Sequence, residues 1–361
     1  MSANKERAMP HSKPFVEING RKIGAGYPVF VIAELSANHR QQFDEAVKLV
    51  QAAKEAGADA VKLQTYTPDT ITIDCQNEYF RIGKGTIWEG RNLYELYSEA
   101  YTPWDWQPKL KKMAVELGLS LFSTPFDKTA VDFLEEMDVP AYKVASFELV
   151  DIPLIEHIAS KGKPLIMSTG MATLDEISEA VQAARSAGAS QVALLKCTSA
   201  YPASPGEMNL RTIPDMARRF GVPVGLSDHT LGIAVPVVAV ALGACIIEKH
   251  LTLSRSIPGP DSAFSLEPHE FRAMVDAIRT DEEALGAISY KVSEQEAKSR
   301  VFRRSLFVVK DMRKGEAFTE ENVRSIRPGH GLHPRYLKDI LGAKAAKDIA
   351  RGTPLNRQLI S

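Results

Sequence analysis

Three cysteines in a chain of 361 residues are too few for a disulfide framework. Cys75, Cys197 and Cys245 stand isolated, with no paired spacing, which argues against a stapled secreted scaffold and fits a reducing compartment. An excess of either charge is also missing, since 44 basic residues meet 45 acidic ones. No overall field attracts nucleic acid or a membrane surface, so any anion site must be built locally. Long apolar runs are lacking too. The longest, Leu231 to Ile247, contains Pro236 and Gly243 and is shorter than a usual membrane span. Met1 to Pro14 is polar and has no apolar core of a secretion signal. These absences predict a cytoplasmic protein that binds neither nucleic acid nor membrane.

What the chain does have is alternation. A length of 361 residues predicts two domains. Eight short apolar runs, Val29–Leu35, Ala60–Gln64, Ser120–Thr124, Ala141–Ser146, Pro164–Thr169, Val192–Cys197, Pro223–Asp228 and Cys245–Leu251, alternate with helical patterns. Phe43–Ala56 carries an apolar stripe through Phe43, Ala46, Val47 and Val50. Thr102-Pro103 reads as an N-cap followed by proline at the first helical position, and Thr173 to Glu176 as a capping box. An eighth helix spans Pro268–Leu285. Eight strand–helix repeats predict a closed (β/α)8 TIM barrel over residues 1–286, with an open doubly wound sheet as the alternative. One loop, Thr65 to Tyr101, shows no periodicity yet carries Tyr66, Tyr79, Phe80, Trp88, Tyr94 and Tyr97. It reads as a lid or substrate wall with Gly83-Lys84-Gly85-Thr86 at its tip; those four residues lack the rest of a phosphate-binding loop. A polar linker, 287–300, leads to a small domain, 301–361, with an internal echo: Val309 to Gly315 is repeated as Ala346 to Gly352. So short a domain should lean on a barrel, its own or a partner's.

The chemistry collects at strand ends, where barrels keep their sites. Glu34 ends the first strand and Asn38 and His39 follow it; Lys62 and Gln64 share one face of the second; later strands offer Ser123 and Thr124, Lys143 and Ser146, Ser168 and Thr169, then Lys196, Thr198 and Ser199. The seventh and eighth finish on Asp228-His229 and Glu248-Lys249-His250. Any one of these is compatible with a capped strand end or a solvated side chain. Buried lysines are harder to dismiss: an unpaired ammonium is expensive to bury, so Lys62 and Lys143 require an anion, and hydroxyls around them suit a phosphate. Two histidines on neighbouring strands suit a divalent metal with open positions. Aldol-type condensation with phosphoenolpyruvate fits both halves, and so does a metal-dependent aldolase or sugar-phosphate isomerase.

At this point the chain closely resembles the sialic acid synthase family, from about Pro14 to Ile360. The resemblance is carried by Ile32 to His39, Val61 to Thr65, Phe122 to Phe126, Ala141-Tyr142-Lys143, Ser168 to Met171, Gly225 to Thr230, Glu248-Lys249-His250 and Pro258 to Asp261. The terminal domain resembles the antifreeze-like (SAF) module of these synthases, including Arg327 to Gly331, which names a fold and not ice binding. The resemblance implies a phosphoenolpyruvate site at Lys62, Thr124, Lys143, Ser146, Ser168 and Ser199. It implies a divalent cation, manganese or magnesium, on His229 and His250. Glu34 would manage a proton, Gln64, Tyr201, Glu248 and Asp261 would orient sugar, metal and water, and Asn38 would face the sugar. A homodimer with swapped terminal domains would bring Arg327 of one subunit to the N-acyl group of the sugar in the other. Ala145-Ser146-Phe147-Glu148, the Lys196 to Pro202 stretch with Ser199, and Gly329 to Pro334 are more similar to pseudaminic acid synthases, which implies a 6-deoxy 2,4-diacetamido hexose of the L-altro series and a less polar pocket lined by Phe147 or the aromatic loop. N-acetylneuraminic or legionaminic acid synthesis stays open, as do an aldolase or isomerase without phosphoenolpyruvate and a sugar-binding barrel without catalysis.

Overall fold

Residues 13–361 are described by a computed structural model in which each of the eight apolar runs forms a parallel strand and the eight close on themselves. A hairpin, β1 (Phe15–Ile18) and β2 (Arg21–Gly24), comes first. The barrel strands are β3 (Phe30–Glu34), β4 (Ala60–Thr65), β5 (Ser120–Pro125), β6 (Tyr142–Val144), β7 (Leu165–Ser168), β8 (Val192–Cys197), β9 (Val224–Asp228) and β10 (Ile246–His250). β10 pairs with both β9 and β3, which closes the ring and rules out the open sheet. Strands buried on both faces read as continuous Val, Ile and Leu rather than as alternation, and Phe30–Glu34 and Leu165–Ser168 are buried at every position. Gly225 lets β9 pack against its neighbours: a methyl there would lie 2.3 Å from the Ile246 carbonyl and 2.8 Å from Leu195 Cδ2.

The hairpin is not anticipated by the sequence reading. It turns on Asn19 and Gly20, both at positive φ, the dipeptide that a two-residue hairpin loop favours. Its inner face, Val16, Ile18 and Ile23, joins the barrel core. Its polar ties run to strand starts: Asn19 Nδ2 donates to Ser120 Oγ at 3.0 Å, and Arg21 pairs with Asp59 just ahead of β4. The hairpin therefore floors the N-terminal end of the barrel and leaves the C-terminal end for chemistry.

Two expectations are corrected here. The stretch from Thr65 to Tyr101 is not without helix; Leu93–Ala100 is helical, with Asn92 accepting from the amides of Tyr94 and Glu95. Thr102 is not an N-cap. A 3-10 turn, Trp104–Trp106, intervenes before the α-helix Gln107–Glu116, and the Thr102 hydroxyl instead lies 3.0 Å from His39 Nε2. The Gln41 amide donates to His39 Nδ1 at 3.1 Å, so Nε2 carries the proton and donates to Thr102. His39 also meets the Trp106 ring edge-on, 5.6 Å between centroids. It is a satisfied core residue that ties the loop after β3 to the next helix. The capping box at Thr173 is present as expected.

Ala287–Ser361 forms a second compact unit. The stretch expected as a linker holds the short helix Glu294–Ser299, capped by Ser293 and Glu296. The domain core is Leu306, Val308, Met312, Phe318, Val323, Ile340, Ala345, Ile349, Leu355 and Leu359, around the antiparallel pair β11 (Ser305–Val308) and β12 (Val323–Ile326). The echoed segments pair with each other: Met312 and Ile349 exchange two backbone hydrogen bonds of 2.8 Å. Asp311 accepts from the Arg351 amide and Asp348 from the Lys314 amide, both at 2.7 Å. The repeat is a reciprocal brace.

Burial lowers the pKa of His39 to about 4. A histidine whose folded pKa lies below its unfolded value contributes stability that is complete above about pH 6.5 and is lost as pH falls toward 4. Between pH 7 and pH 5 the loss is about 2 kcal/mol. His39→Asn should remove that loss from the unfolding free energy measured by denaturant titration at pH 7 and pH 5; an unchanged pH dependence refutes the assignment.

Candidate active site

Polar side chains with period two along β4 place Lys62 and Gln64 on one face, and that face points into the barrel. Lys62 Nζ lies 2.5 Å from Glu34 Oε2 on β3 and donates to Thr124 Oγ1 on β5 at 3.1 Å. Lys143 on β6 donates to Ser168 Oγ on β7 at 2.6 Å and to the Val144 carbonyl at 3.1 Å. Glu248 on β10 sits between the two ammoniums, 3.9 Å from each. The anion that buried lysines demand is thus first supplied by the protein's own carboxylates, which the sequence reading did not foresee.

The four charges settle unequally. Burial opposes the ionisation of Glu248, but Lys143 and Lys62 outweigh it and hold the carboxyl below its usual range. Glu34 meets only Lys62 at ion-pair distance; burial wins over that contact, and its pKa is pushed up to about 7. Lys143, buried beside Lys62, is shifted down, chiefly by desolvation. Against desolvation, Glu248 and Glu34 carry Lys62 upward. Glu248 Oε1 accepts from Ser227 Oγ at 3.1 Å, while Oε2 has no hydrogen-bond partner.

A second cluster lies beyond. Gln64 Nε2 donates to Glu34 Oε1 at 3.1 Å and to Ser36 Oγ at 3.0 Å, and Ser36 donates to Asp261 Oδ2. Ser36 is a residue the sequence reading missed. Its φ of 42° is uncommon outside glycine, and no sequence signal announces it. Burial raises the Asp261 carboxyl.

Around β7 and β8 the hydroxyls gather on a glycine. The Gly170 amide donates to Ser146 Oγ at 3.1 Å. A methyl on Gly170 would fall 2.2 Å from Ser199 Oγ and 2.8 Å from Ser146 Oγ. Ser146, Ser199 and the bare backbone of Gly170 therefore form a cradle that a Cβ would fill. Beside it, Glu148 has an unpartnered Oε2 and a pKa pushed by burial to about 7; the sequence reading quoted it without assigning a role.

His229 and His250 follow on adjacent strands, their ring centroids 5.4 Å apart. His229 Nδ1 lies 3.1 Å from the Thr198 carbonyl; if it donates there, the lone pair resides on Nε2. His250 Nδ1 is buried without a partner, and burial drives its pKa well down, keeping it neutral. Two nitrogens bound to one cation at about 2.1 Å each stand at most about 4.2 Å apart, a spacing open to rings this close. His229 is shifted the other way: against burial, the Cys197 thiol and the Thr198 carbonyl raise its pKa, so a cation binding there displaces any proton it holds. With one ring oriented from behind, the two imidazoles are a suitable donor pair for a divalent cation. Among the described residues no three His, Cys, Asp or Glu side chains converge on a metal position, so further ligands would come from water or substrate. An aromatic wall lines the pair: Tyr201 lies 4.4 Å from His229, Phe264 lies 4.9 Å from His250, and Trp88 packs on Tyr201 at 5.4 Å. Trp88 Nε1 donates to the Pro260 carbonyl at 2.9 Å, which anchors the 65–101 loop as a wall of the site. Periodicity gave no sign of Phe264.

Two residues were expected to meet the sugar. Asn38 uses its amide nitrogen on the Leu251 carbonyl and Ser265 Oγ, both at 2.9 Å, leaving Oδ1 as its unpartnered atom. Arg327 is exposed on the second unit.

Comparison with known proteins agrees with this arrangement. Residues 49–290 match the NeuB family and residues 303–358 the SAF domain. The chain is 49% identical over 327 residues to a pseudaminic acid synthase of Campylobacter jejuni subsp. jejuni, covering 91% of this chain and 95% of the relative. It is 46% identical over 330 residues to a pseudaminic acid synthase of Helicobacter pylori, covering 91% and 97%. The crystal structure of an N-acetylneuraminic acid synthetase from Leptospira borgpetersenii superposes with a TM-score of 0.71 at 30% identity, over 81% of this chain and 96% of that one. With its barrel and terminal domain both accounted for, the chain belongs to the NeuB family.

Proposed function

We propose that the protein is a pseudaminic acid synthase, condensing phosphoenolpyruvate with 2,4-diacetamido-2,4,6-trideoxy-L-altrose to give the nonulosonic acid and inorganic phosphate. The observation that carries the reading is the pair of buried lysines, Lys62 and Lys143, ringed by hydroxyls and facing an imidazole pair. Identity of 46–49% to three pseudaminic acid synthases supports the choice of sugar.

In this reading Lys62, Lys143, Thr124 and Ser168 grip the charged groups of the enol, and Ser146, Ser199 and the Gly170 amide receive its remaining oxygens. Arrival of that anion competes with Glu34 for Lys62. Glu34, pushed by burial up to about 7 even while Lys62 holds it down, gains a proton as that contact is lost and is then free to donate it. His229 and His250 would hold a manganese or magnesium ion, which supplies Lewis-acid polarisation at an aldehyde oxygen. Carbon 3 of the enol forms its bond to the aldehyde carbon, whose carbonyl electrons pass to oxygen, and carbon 2 becomes electron-poor. Glu248, ionised between the lysines, stabilises that developing positive charge. Glu34 gives its proton to the new alkoxide, and the water that adds at carbon 2 returns one to it. The carbon 2 hydroxyl then passes its proton to the phosphate as the bond from carbon 2 to the phosphate's bridging oxygen breaks, which leaves the 2-keto group. Gln64, Tyr201 and Asp261 orient water and sugar, with Asn38 at the pocket edge. The enzyme works in the cytoplasm as a homodimer with exchanged terminal domains, Arg327 serving the partner's sugar.

Three outcomes test this. Phosphate release with phosphoenolpyruvate should be far faster with the 6-deoxy L-altro sugar than with N-acetylmannosamine or the legionaminic acid precursor, with product mass recorded; release with none of the three removes the reading. Gly170→Ala should raise KM for phosphoenolpyruvate about tenfold or more, since overpacking costs roughly 1–3 kcal/mol, and leave KM for the sugar near its native value. Arg327→Ala should raise KM for the sugar by at least about tenfold, as loss of a charged hydrogen bond does, with phosphoenolpyruvate unaffected; equal losses in both contradict the contact.

A further inference from the structure

Behind the two imidazoles lies a buried ion pair that the chemistry above leaves unused. Ser227 reaches Glu248 inside the barrel, so the alternation of side chains along a strand puts Asp228 and Lys249 on the outer face of the same two strands. They are register partners between β9 and β10, and both side chains are fully buried. The Lys249 ammonium contacts Asp228 Oδ2 and donates to the Thr230 carbonyl at 2.5 Å. Asp228 in turn accepts from the Thr230 amide at 3.0 Å and from its hydroxyl at 3.1 Å. The three residues close a ring around the backbone of His229, and His250 is the next residue after Lys249.

A buried ion pair is a poor source of net stability, because a well-packed apolar pair of similar volume often serves as well. Something other than stability has to explain it. We propose that the Asp228–Lys249–Thr230 ring is a positioning clamp that locks the ends of β9 and β10 in register and so sets the separation at which His229 and His250 share a cation. Slippage of either strand by a single residue would turn its histidine to the outer face and leave the other without a partner. His229 has a second restraint, its Nδ1 lying against the Thr198 carbonyl, but His250 Nδ1 has no partner. The orientation of His250 therefore depends on the strand that carries it and on the edge of Phe264, 4.9 Å away. The inference rests on the imidazole pair as the cation site.

The test is Mn2+ binding to the full-length protein without substrates, followed by the electron paramagnetic signal of free Mn2+, alongside thermal unfolding. The charge-free double variant Asp228→Asn/Lys249→Met keeps an oxygen for Thr230. It is expected to fold with a midpoint close to native and to bind Mn2+ about 10- to 100-fold more weakly, the loss typical of groups that orient ligands from behind. A folded double variant with native Mn2+ affinity overturns the clamp. Should that variant not fold, Thr230→Val decides, since it deletes only the hydroxyl contact: several-fold weaker Mn2+ binding supports the clamp and unchanged binding overturns it. Native protein that binds no Mn2+ removes the cation site and the clamp together, whereas native binding with unaffected variants removes the clamp alone.

Discussion

Two ammonium groups sealed inside a barrel must be neutralised at every moment, and the rest of the site follows from how that is done. Taking a charge out of water costs several kcal/mol unless a partner is present. Lys62 and Lys143 find theirs in Glu34 and Glu248, so the empty site is already balanced. A doubly charged anion entering this pocket cannot simply add to it; it must take over a lysine from a carboxylate. Glu34 is the carboxylate that can yield, being the one whose ionisation burial opposes most effectively. In the proposed mechanism, binding and proton handling are thereby linked through one oxygen–nitrogen contact.

Opposite this charged half stands a half built from rings. Tyr201, Phe264 and Trp88 surround His229 and His250, and desolvation by such neighbours keeps His250 neutral. The same burial that makes ammoniums costly on one side leaves the His250 imidazole uncharged on the other. One enclosed space thus produces both an anion grip and a ring nitrogen ready to bind beside His229.

Much of this was legible in the sequence, for identifiable reasons. Strands such as Val192–Cys197 were bounded correctly to the residue because turn residues flank a run that is apolar but for Lys196, and Pro268–Leu285 because proline and glycine bracket it. Lys62, Lys143, His229 and His250 stood out because charged or imidazole groups within apolar strands have few innocent explanations. What stayed hidden depends on contacts between distant segments. The Glu34–Lys62 pair depends on the register in which β3 meets β4, and the Glu248–Lys62 approach on closure of the barrel through β10. Ser36 matters through a backbone angle that no residue type dictates. Thr102 looked like a cap because threonine before proline usually is one, yet a histidine far along the chain claimed its hydroxyl. The Asn19-Gly20 hairpin carried a recognisable turn dipeptide that went unread because the strands beside it are only four residues long.

The reciprocal bracing of the terminal domain has a consequence for its assembly. Each half supplies the aspartate that completes the other half's turn, and the Met312–Ile349 bridge closes only when both have arrived. Neither half therefore constitutes a viable fragment, and order must come to both at once. A break placed anywhere between the two copies would leave two peptides that must find each other, so the module is expected to form in a single concerted event.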